Sequence, residues 1–300
     1  MRQYICIDIG GTSIKHGVAD ENGVFIDKGE MPAEALKTGG AGILVKVKKI
    51  IRDYMQKTTV KFSGVAISTA GIVDPEKGEI IYATPNNIPG YTGTKVKAEI
   101  EAACGLFCTV ENDVNCAGLG EVWLGAGKGA KSVCCLTVGT GIGGCVILDG
   151  HLFHGASNSA GEIGYMHIPG GGKFEDRAST TSLVKEIAAR KGIPAETLDG
   201  RKIFAWAADG DRETIEAIDI IMERLAIGIA NVCYVLNPEV IILGGGIMAQ
   251  AKLLEPKIKT ALSKQLIPSI FEKTKIVFSM LQNEAGMLGA LYNFRQKQEK

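Results

Sequence analysis

The stretch Ile5-Cys6-Ile7-Asp8-Ile9-Gly10 decides the fold, because it returns as Cys134-Cys135-Leu136-Thr137-Val138-Gly139. A shift of 129 positions lays apolar strand on apolar strand and glycine turn on glycine turn, and it carries Asp20 onto Asp149. In the first copy Gln3 to Ile9 predicts a strand, Gly10-Gly11 a turn and Ile14 to Ala19 a second strand. Asp20-Glu21-Asn22-Gly23 then turns into a third strand at Val24 to Lys28. This is a meander, not the strand-helix-strand opening of a dinucleotide fold. Self-similarity at such a distance implies two related α/β lobes, with the glycine turns at the cleft they share. The expected division is 1–114 and 115–300, the last helix, about 286–300, packing back on the N-terminal lobe.

Periodicity fills in the rest. Ile43 to Met55 predicts a helix with Leu44, Val47, Ile50, Ile51 and Tyr54 on one face, followed by a buried strand at Gly64 to Ser68. An amphipathic stretch at Val96 to Ala103 precedes a strand at Cys108 to Glu111. A long helix, Ile215 to Leu236, closes at Asn237-Pro238 before a strand at Val240 to Leu243, and Ala285 to Arg295 is helical again.

Composition narrows the function. With 46% hydrophobic and 22% charged residues the chain can bury a sizeable core. Lys+Arg 33 against Asp+Glu 33 leaves no basic field for nucleic acid or an anionic membrane. No apolar run approaches the roughly 18 residues of a membrane span, and Tyr4-Ile5-Cys6-Ile7 stops at Asp8, so neither span nor signal peptide is expected and the cytoplasm is the expected location. The eight cysteines form no CxxC pair and are expected as buried, reduced thiols.

Three glycine-bearing turns follow apolar strands: Asp8-Ile9-Gly10-Gly11-Thr12, Thr137-Val138-Gly139-Thr140-Gly141-Ile142-Gly143-Gly144 and Leu243-Gly244-Gly245-Gly246. Glycine lets a backbone approach an anion closely and aim successive N–H groups at it, which suits a polyphosphate. Gly139-x-Gly141-x-x-Gly144 also matches a dinucleotide fingerprint, but β-rich Cys145 to Leu148 follows where that motif needs a helix. No P-loop sequence occurs. Asp8, at the mouth of the first turn, could hold Mg²⁺ through water or make an Asx turn. Glu111-Asn112-Asp113 ends a strand before the helical run Val114 to Leu124, so Asn112 or Asp113 could cap that helix, or Asp113 could accept a hydroxyl proton during phosphoryl transfer.

At these residues the chain resembles the ROK family of repressors and kinases, within the actin-like ATPase and sugar kinase superfamily. The resemblance implies two RNase H-like lobes around a cleft and an ATP-dependent sugar kinase using Mg²⁺, commonly a homodimer or homotetramer. It makes Asp113 the base. It assigns nucleotide contacts to Asp8, Gly10, Gly11, Thr12, Thr137, Gly139, Thr140, Gly141, Gly143, Gly244, Gly245 and Gly246. Sugar contacts fall on Asn87, in Asn87-Ile88-Pro89-Gly90-Tyr91, and on Asn112, Glu162 and Glu175. The implied acceptor is a hydroxyl, the primary 6-hydroxyl by preference, of a hexose, N-acetylhexosamine or β-glucoside. The alternative is a sugar-binding regulator without catalysis; a DNA-binding repressor would need a helix-turn-helix module before the first glycine loop.

The chain departs from the family at its zinc site. Tyr165 stands where a histidine is expected, and Pro169-Gly170-Gly171-Gly172-Lys173-Phe174 replaces a Cys-rich loop, so no structural zinc is expected and Tyr165 becomes a candidate sugar contact. His151 and His154 read as exposed loop histidines, and Lys15, just after the first loop, as a solvated outward lysine or one that faces phosphate.

Overall fold

The computed structural model describes residues 1–298. They form two compact units: a first, Met1–Lys128 with His151–Ala160 and the segment from Asn283 onward, and a second, Gly129–Gly150 with Gly161–Gln282. The helix after residue 112 therefore stays with the first unit instead of opening the second at residue 115. No described helix is long and apolar enough to cross a membrane.

The first unit opens on β1 (Gln3–Ile9), β2 (Ser13–Asp20) and β3 (Phe25–Pro32), the meander the sequence predicts with a longer third strand. It continues through α1 (Ala35–Lys57), β4 (Val65–Thr69), a small hairpin of β5 (Ile72–Asp74) and β6 (Glu79–Tyr82), α2 (Val96–Cys104), β7 (Cys108–Asn112) and α3 (Asp113–Leu124). The sheet order is β3-β2-β1-β4-β7, antiparallel up to β1 and parallel from β1 to β7.

The second unit repeats the plan with β8 (Ser132–Val138) and β9 (Ile142–Leu148), and the 129-residue shift carries the bounds of β1 onto those of β8. The short β10 (His151–Leu152) lies in the excursion grouped with the first unit. Helices α4 (Phe174–Ala178), α5 (Thr180–Lys191), α6 (Gly200–Ala208) and α7 (Arg212–Leu236) precede β11 (Val240–Gly244), α8 (Ala251–Ser263), α9 (Pro268–Phe271) and β12 (Lys275–Phe278). Within this unit β9, β8, β11 and β12 lie side by side, again one antiparallel pair followed by parallel ones. The chain ends on α10 (Ala285–Gln298), back in the first unit.

Alternation along β1 decides what each face carries. Ile5, Ile7 and Ile9 pack with Ile43, Val47 and Ile51 of α1 and Val96 and Ile100 of α2. Tyr4 and Cys6 face the other way, into a cluster with Cys116 of α3 and Met287, Leu291 and Phe294 of α10. Asp8 shares that second parity, so its carboxyl emerges at the strand's end on the α3/α10 side. In the second unit Cys134, Leu136 and Val138 supply the core face, against Leu183 and Ile187 of α5 and Ile221, Leu225 and Ile229 of α7. Burying each such aliphatic side chain contributes roughly 1.5–3 kcal/mol.

Close approach of α3 to α10 is allowed by glycine. A Cβ on Gly289 would overlap the Cys116 carbonyl, and one on Gly120 would lie 2.6 Å from the Ala285 carbonyl oxygen. Trp123 of α3 stacks on Tyr292 of α10 at 5.3 Å. Alanine at a helix-interior glycine is ordinarily favoured by about 1 kcal/mol. Gly289→Ala is nonetheless expected to destabilise the chain by roughly 2 kcal/mol through overpacking, read from urea unfolding; a variant as stable as the parent would show that the two helices can separate freely.

Candidate active site

In the first unit Asp8 sits at the C-terminal end of β1. Its Oδ1 accepts a 2.6 Å hydrogen bond from Ser68 Oγ on the neighbouring β4, and a Cβ on Gly286 of α10 would approach its carboxyl to 2.8 Å. Burial pushes the Asp8 carboxyl above the usual carboxylate range, against the opposing effects of the Ser68 hydroxyl and the Lys15 ammonium. Lys15 corrects the sequence reading: its side chain is 26% exposed, its Nζ is 4.0 Å from Asp8 Oδ2, and it donates to Asn283. Strand pairing accounts for this, since Lys15 lies opposite Asp8 in the β1–β2 register.

The turn Asn87 to Tyr91 is docked on the same unit. Gly40 N–H donates to the Pro89 carbonyl at 2.9 Å, and Tyr91, wholly buried, shares a 3.0 Å hydrogen bond with Thr69. Gly39 has φ 62 inside α1, a left-handed residue that kinks the helix and lets Pro89 approach. Gly39 therefore divides α1 into a short turn at 35–38 and the helix that follows, which contains the predicted Ile43 to Met55. Asn87 covers Gly11, where a Cβ would collide with its amide.

Glu111, Asn112 and Asp113 occupy the junction of β7 and α3. Asn112 caps α3, its Oδ1 accepting from Val114 N–H at 2.9 Å and Asn115 N–H at 3.0 Å. Its Nδ2 donates to the Gly71 carbonyl and to Asp113 Oδ1. The capping alternative therefore falls to Asn112, and Asp113, the first helical residue, has its Oδ1 held by Asn112 Nδ2 at 3.0 Å and by Val114 N–H at 2.9 Å. Glu111 is buried and meets His154 Nε2 at 2.8 Å. His154 is thus no exposed loop residue: only 25% of its side chain is accessible. Nothing local foretells this, because the partner lies 43 positions away.

In the second unit the β8–β9 turn is clamped by the start of α5. Thr180 N–H donates to the Gly139 carbonyl at 2.9 Å, and Thr181 Oγ1 to the Thr140 carbonyl at 2.8 Å. Beside it opens a cavity of about 640 Å³, walled by Gly139, Thr140, Gly246 and Ile247, and by Val184, Asp199, Gly200, Arg201 and Phe204. The last five are absent from the sequence reading. Asp199 does carry a helix-cap signal, and it caps α6 by accepting from Lys202 N–H, but no local pattern ties it to a glycine turn about sixty residues earlier.

The predicted glycines divide by role. Gly139 and Gly246 have nothing within 4 Å of a built Cβ, so no neighbour in the fold requires glycine there and the open space lies toward the cavity. Thr137, Gly143 and Gly244 form ladder pairs behind it. Gly245, at φ 98, presses on the Val138 backbone. A Cβ on Gly141 would meet Glu175 Oε2 at 2.5 Å, so this glycine makes room for a carboxylate of its own unit. In the first unit Gly10 N–H donates to the Ser13 carbonyl and the Thr12 carbonyl accepts from Ala33 N–H, which closes that turn.

Glu162 and Glu175 lie in the same unit; burial, then the charge of Glu175, raises the Glu162 carboxyl above its ordinary range. Tyr165 is 45% exposed, with the Lys173 ammonium 4.2 Å from its ring centre. Lys173 also lies 3.9 Å from Glu175 Oε1. Gly170, Gly171 and Gly172 turn with positive φ between His167 and Lys173, which pair across a β-bridge. Among the described residues no three His, Cys, Asp or Glu side chains gather as a metal cluster, and seven of the eight cysteines are buried, Cys104 partly so.

Duplicated hairpins with glycine turns, a buried aspartate on one and an open cavity beside the other, suit a phosphoryl-transfer enzyme of the actin-like ATPase fold. Comparison with known proteins is consistent with that class: the ROK family model matches residues 4–297, and the chain belongs to the ROK family. It is 49% identical to an uncharacterized protein of Clostridium perfringens over 100% of both chains. It is 34% identical to a beta-glucoside kinase of Listeria innocua, covering 98% of this chain and 97% of that one. A ROK family glucokinase from Streptomyces griseus, solved with glucose and AMPPNP, superposes with a TM-score of 0.84 at 27% identity, covering 98% of this chain and 99% of that one.

Gly246→Val tests the cavity wall. The fold has room for the side chain, so stability should stay within about 0.5 kcal/mol, while the KM for ATP should rise about tenfold or more because the side chain occupies ligand space. Unchanged nucleotide affinity by calorimetry would remove Gly246 from the nucleotide site.

Proposed function

We propose that the chain transfers the γ-phosphoryl group of ATP to a hydroxyl, the primary 6-hydroxyl by preference, of a hexose, N-acetylhexosamine or β-glucoside. The observation that carries this is the build of the β7–α3 junction. Asn112 spends its whole amide on the helix cap, Gly71 and Asp113, and so fixes the carboxylate in one orientation at a helix start. A positioned carboxylate of this kind is what a sugar hydroxyl needs as it becomes a nucleophile. Asp113 would take the hydroxyl proton. In the first unit Asn87 offers a donor and an acceptor of the kind a ring of hydroxyls requires, while Asn112, its amide engaged, serves by holding Asp113; Glu162, Tyr165 and Glu175 are the candidate sugar contacts of the second unit.

The second-unit cavity suits adenosine, and the Gly139 and Gly246 backbones, open where a Cβ would be, suit close approach of phosphates. Asp8 is the residue that would hold Mg²⁺, through water; when bound, that ion offsets the phosphate charge against the attacking hydroxyl. Its buried carboxyl, backed by Ser68, fits such a role, because a cation restores the charge that burial disfavours. The retained Asp113 arrangement and the glycine turns favour a kinase over a non-catalytic regulator.

Asp113→Asn tests the base. The amide keeps the shape but cannot take the proton, so kcat should fall about 100-fold or more with sugar affinity roughly preserved. Turnover within a few-fold of the parent would leave Asp113 a helix-start residue only.

The glycine turn at 170–172 and the partly exposed Tyr165 side chain support an acceptor larger than glucose, consistent with the β-glucoside kinase relative. The kcat/KM for a β-glucoside such as cellobiose, or for an N-acetylhexosamine, should exceed that for glucose, and a metal assay should find no stoichiometric zinc. Strong glucose preference without turnover of bulkier sugars would sink the open-pocket reading and leave the kinase standing.

A further inference from the structure

We propose that His154 is a positioning residue for the catalytic segment, acting through the buried carboxylate of Glu111. The inference rests on the reading of Asp113 as the base. Glu111 is 1% exposed, so every oxygen lone pair left unmatched there costs free energy. Its Oε1 is matched locally, accepting from Asn112 N–H and from Asn115 Nδ2, both at 2.9 Å. Its Oε2 is matched from outside, by His154 Nε2 at 2.8 Å. The residue whose N–H Glu111 holds is the one whose side chain caps α3 and fixes Asp113 Oδ1. Asn115 closes a ring, donating its backbone N–H to Asn112 and its side-chain amide to Glu111.

The chain of contacts is therefore His154 to Glu111, Glu111 to Asn112, Asn112 to Asp113. Without His154, a buried carboxylate would keep only its local partners and would turn toward water. That turn loosens the Asn112 N–H and, with it, the orientation of Asp113. His154 enters from the 151–160 excursion, whose backbone closes on itself where Ala160 N–H donates to the His154 carbonyl at 3.0 Å. It is absent from the wall of the second-unit cavity.

The experiment compares His154→Leu with His154→Gln in the full chain, Asp113→Asn alongside, using whichever of glucose, cellobiose and N-acetylmannosamine the parent turns over best. His154→Leu should lower kcat about tenfold or more with the KM for ATP within about twofold, since misplacing a reacting group is costly while the nucleotide cavity is untouched. His154→Gln should recover to within about threefold of the parent, because a glutamine amide reaches where Nε2 does and can donate to Glu111. Hydrogen exchange gives a readout independent of turnover: the amides of Asn112 and Asn115 should lose protection in the leucine variant and regain it in the glutamine variant. Parent-like kcat or parent-like protection in His154→Leu overturns the proposal, as does a glutamine variant as impaired as the leucine one. Retained activity in Asp113→Asn would strike instead at the reading of the base, which keeps the two failures apart.

Discussion

The packing of α10 on α3 is the constraint from which the first unit takes its shape. Two helices can bring backbone against backbone only where side chains are missing, and Gly289 against Cys116 and Gly120 against Ala285 supply the missing Cβ atoms. The same α10 lays Gly286 against the Asp8 carboxyl and Leu291 and Phe294 against the back of β1 and β4. One helix from the end of the chain thereby sets the positions of the helix that begins at Asp113 and of the carboxylate at the end of β1. The repeat relating the two hairpins has no say in this, because α10 lies outside both copies.

Charge in the first unit is managed by pairing beneath the surface. Asp8 and Glu111 are both withdrawn from water, yet each is answered differently. Asp8 has one strong hydrogen bond from Ser68 and a distant ammonium, and its carboxyl is held above its ordinary range, the state of a group that a cation would stabilise. Glu111 has both oxygens matched by two amide donors and an imidazole. Cys116 lies among these groups, and burial, reinforced by the neighbouring carboxylates, drives its thiol far above its usual range, so it packs as a small apolar residue and not as a nucleophile.

The second unit works with space instead of charge. Thr180 and Thr181, at the start of α5, tie down the carbonyls of the glycine turn while leaving room over Gly139 and Gly246. Gly228 of α7 admits the ring of Phe174, which anchors α4 and hence Glu175. Three glycines and a lysine stacked on Tyr165 shape a compact turn after the Glu162 segment.

Apolar alternation and glycine turns are local signals, and a 129-residue repeat is plain in the residues themselves, so the duplicated hairpins, the central strands of both sheets and the family were legible before any packing was known. The same signals placed Asp8 at a strand end and Asp113 at a helix start. They could not choose which of Asn112 and Asp113 caps α3, since both sit within reach of the same N–H groups; the extended backbone of Asn112 decided. The short turn at 35–38 ahead of the predicted helix went unread, because the break at Gly39 that separates them depends on the docked Pro89 turn, a tertiary partner about fifty residues away. His154 and Lys15 were read as solvated for the same reason: each is recruited by a carboxylate that only pairing or chain return brings near. A residue's periodicity tells which face it occupies, but what waits on that face is set by packing between distant segments.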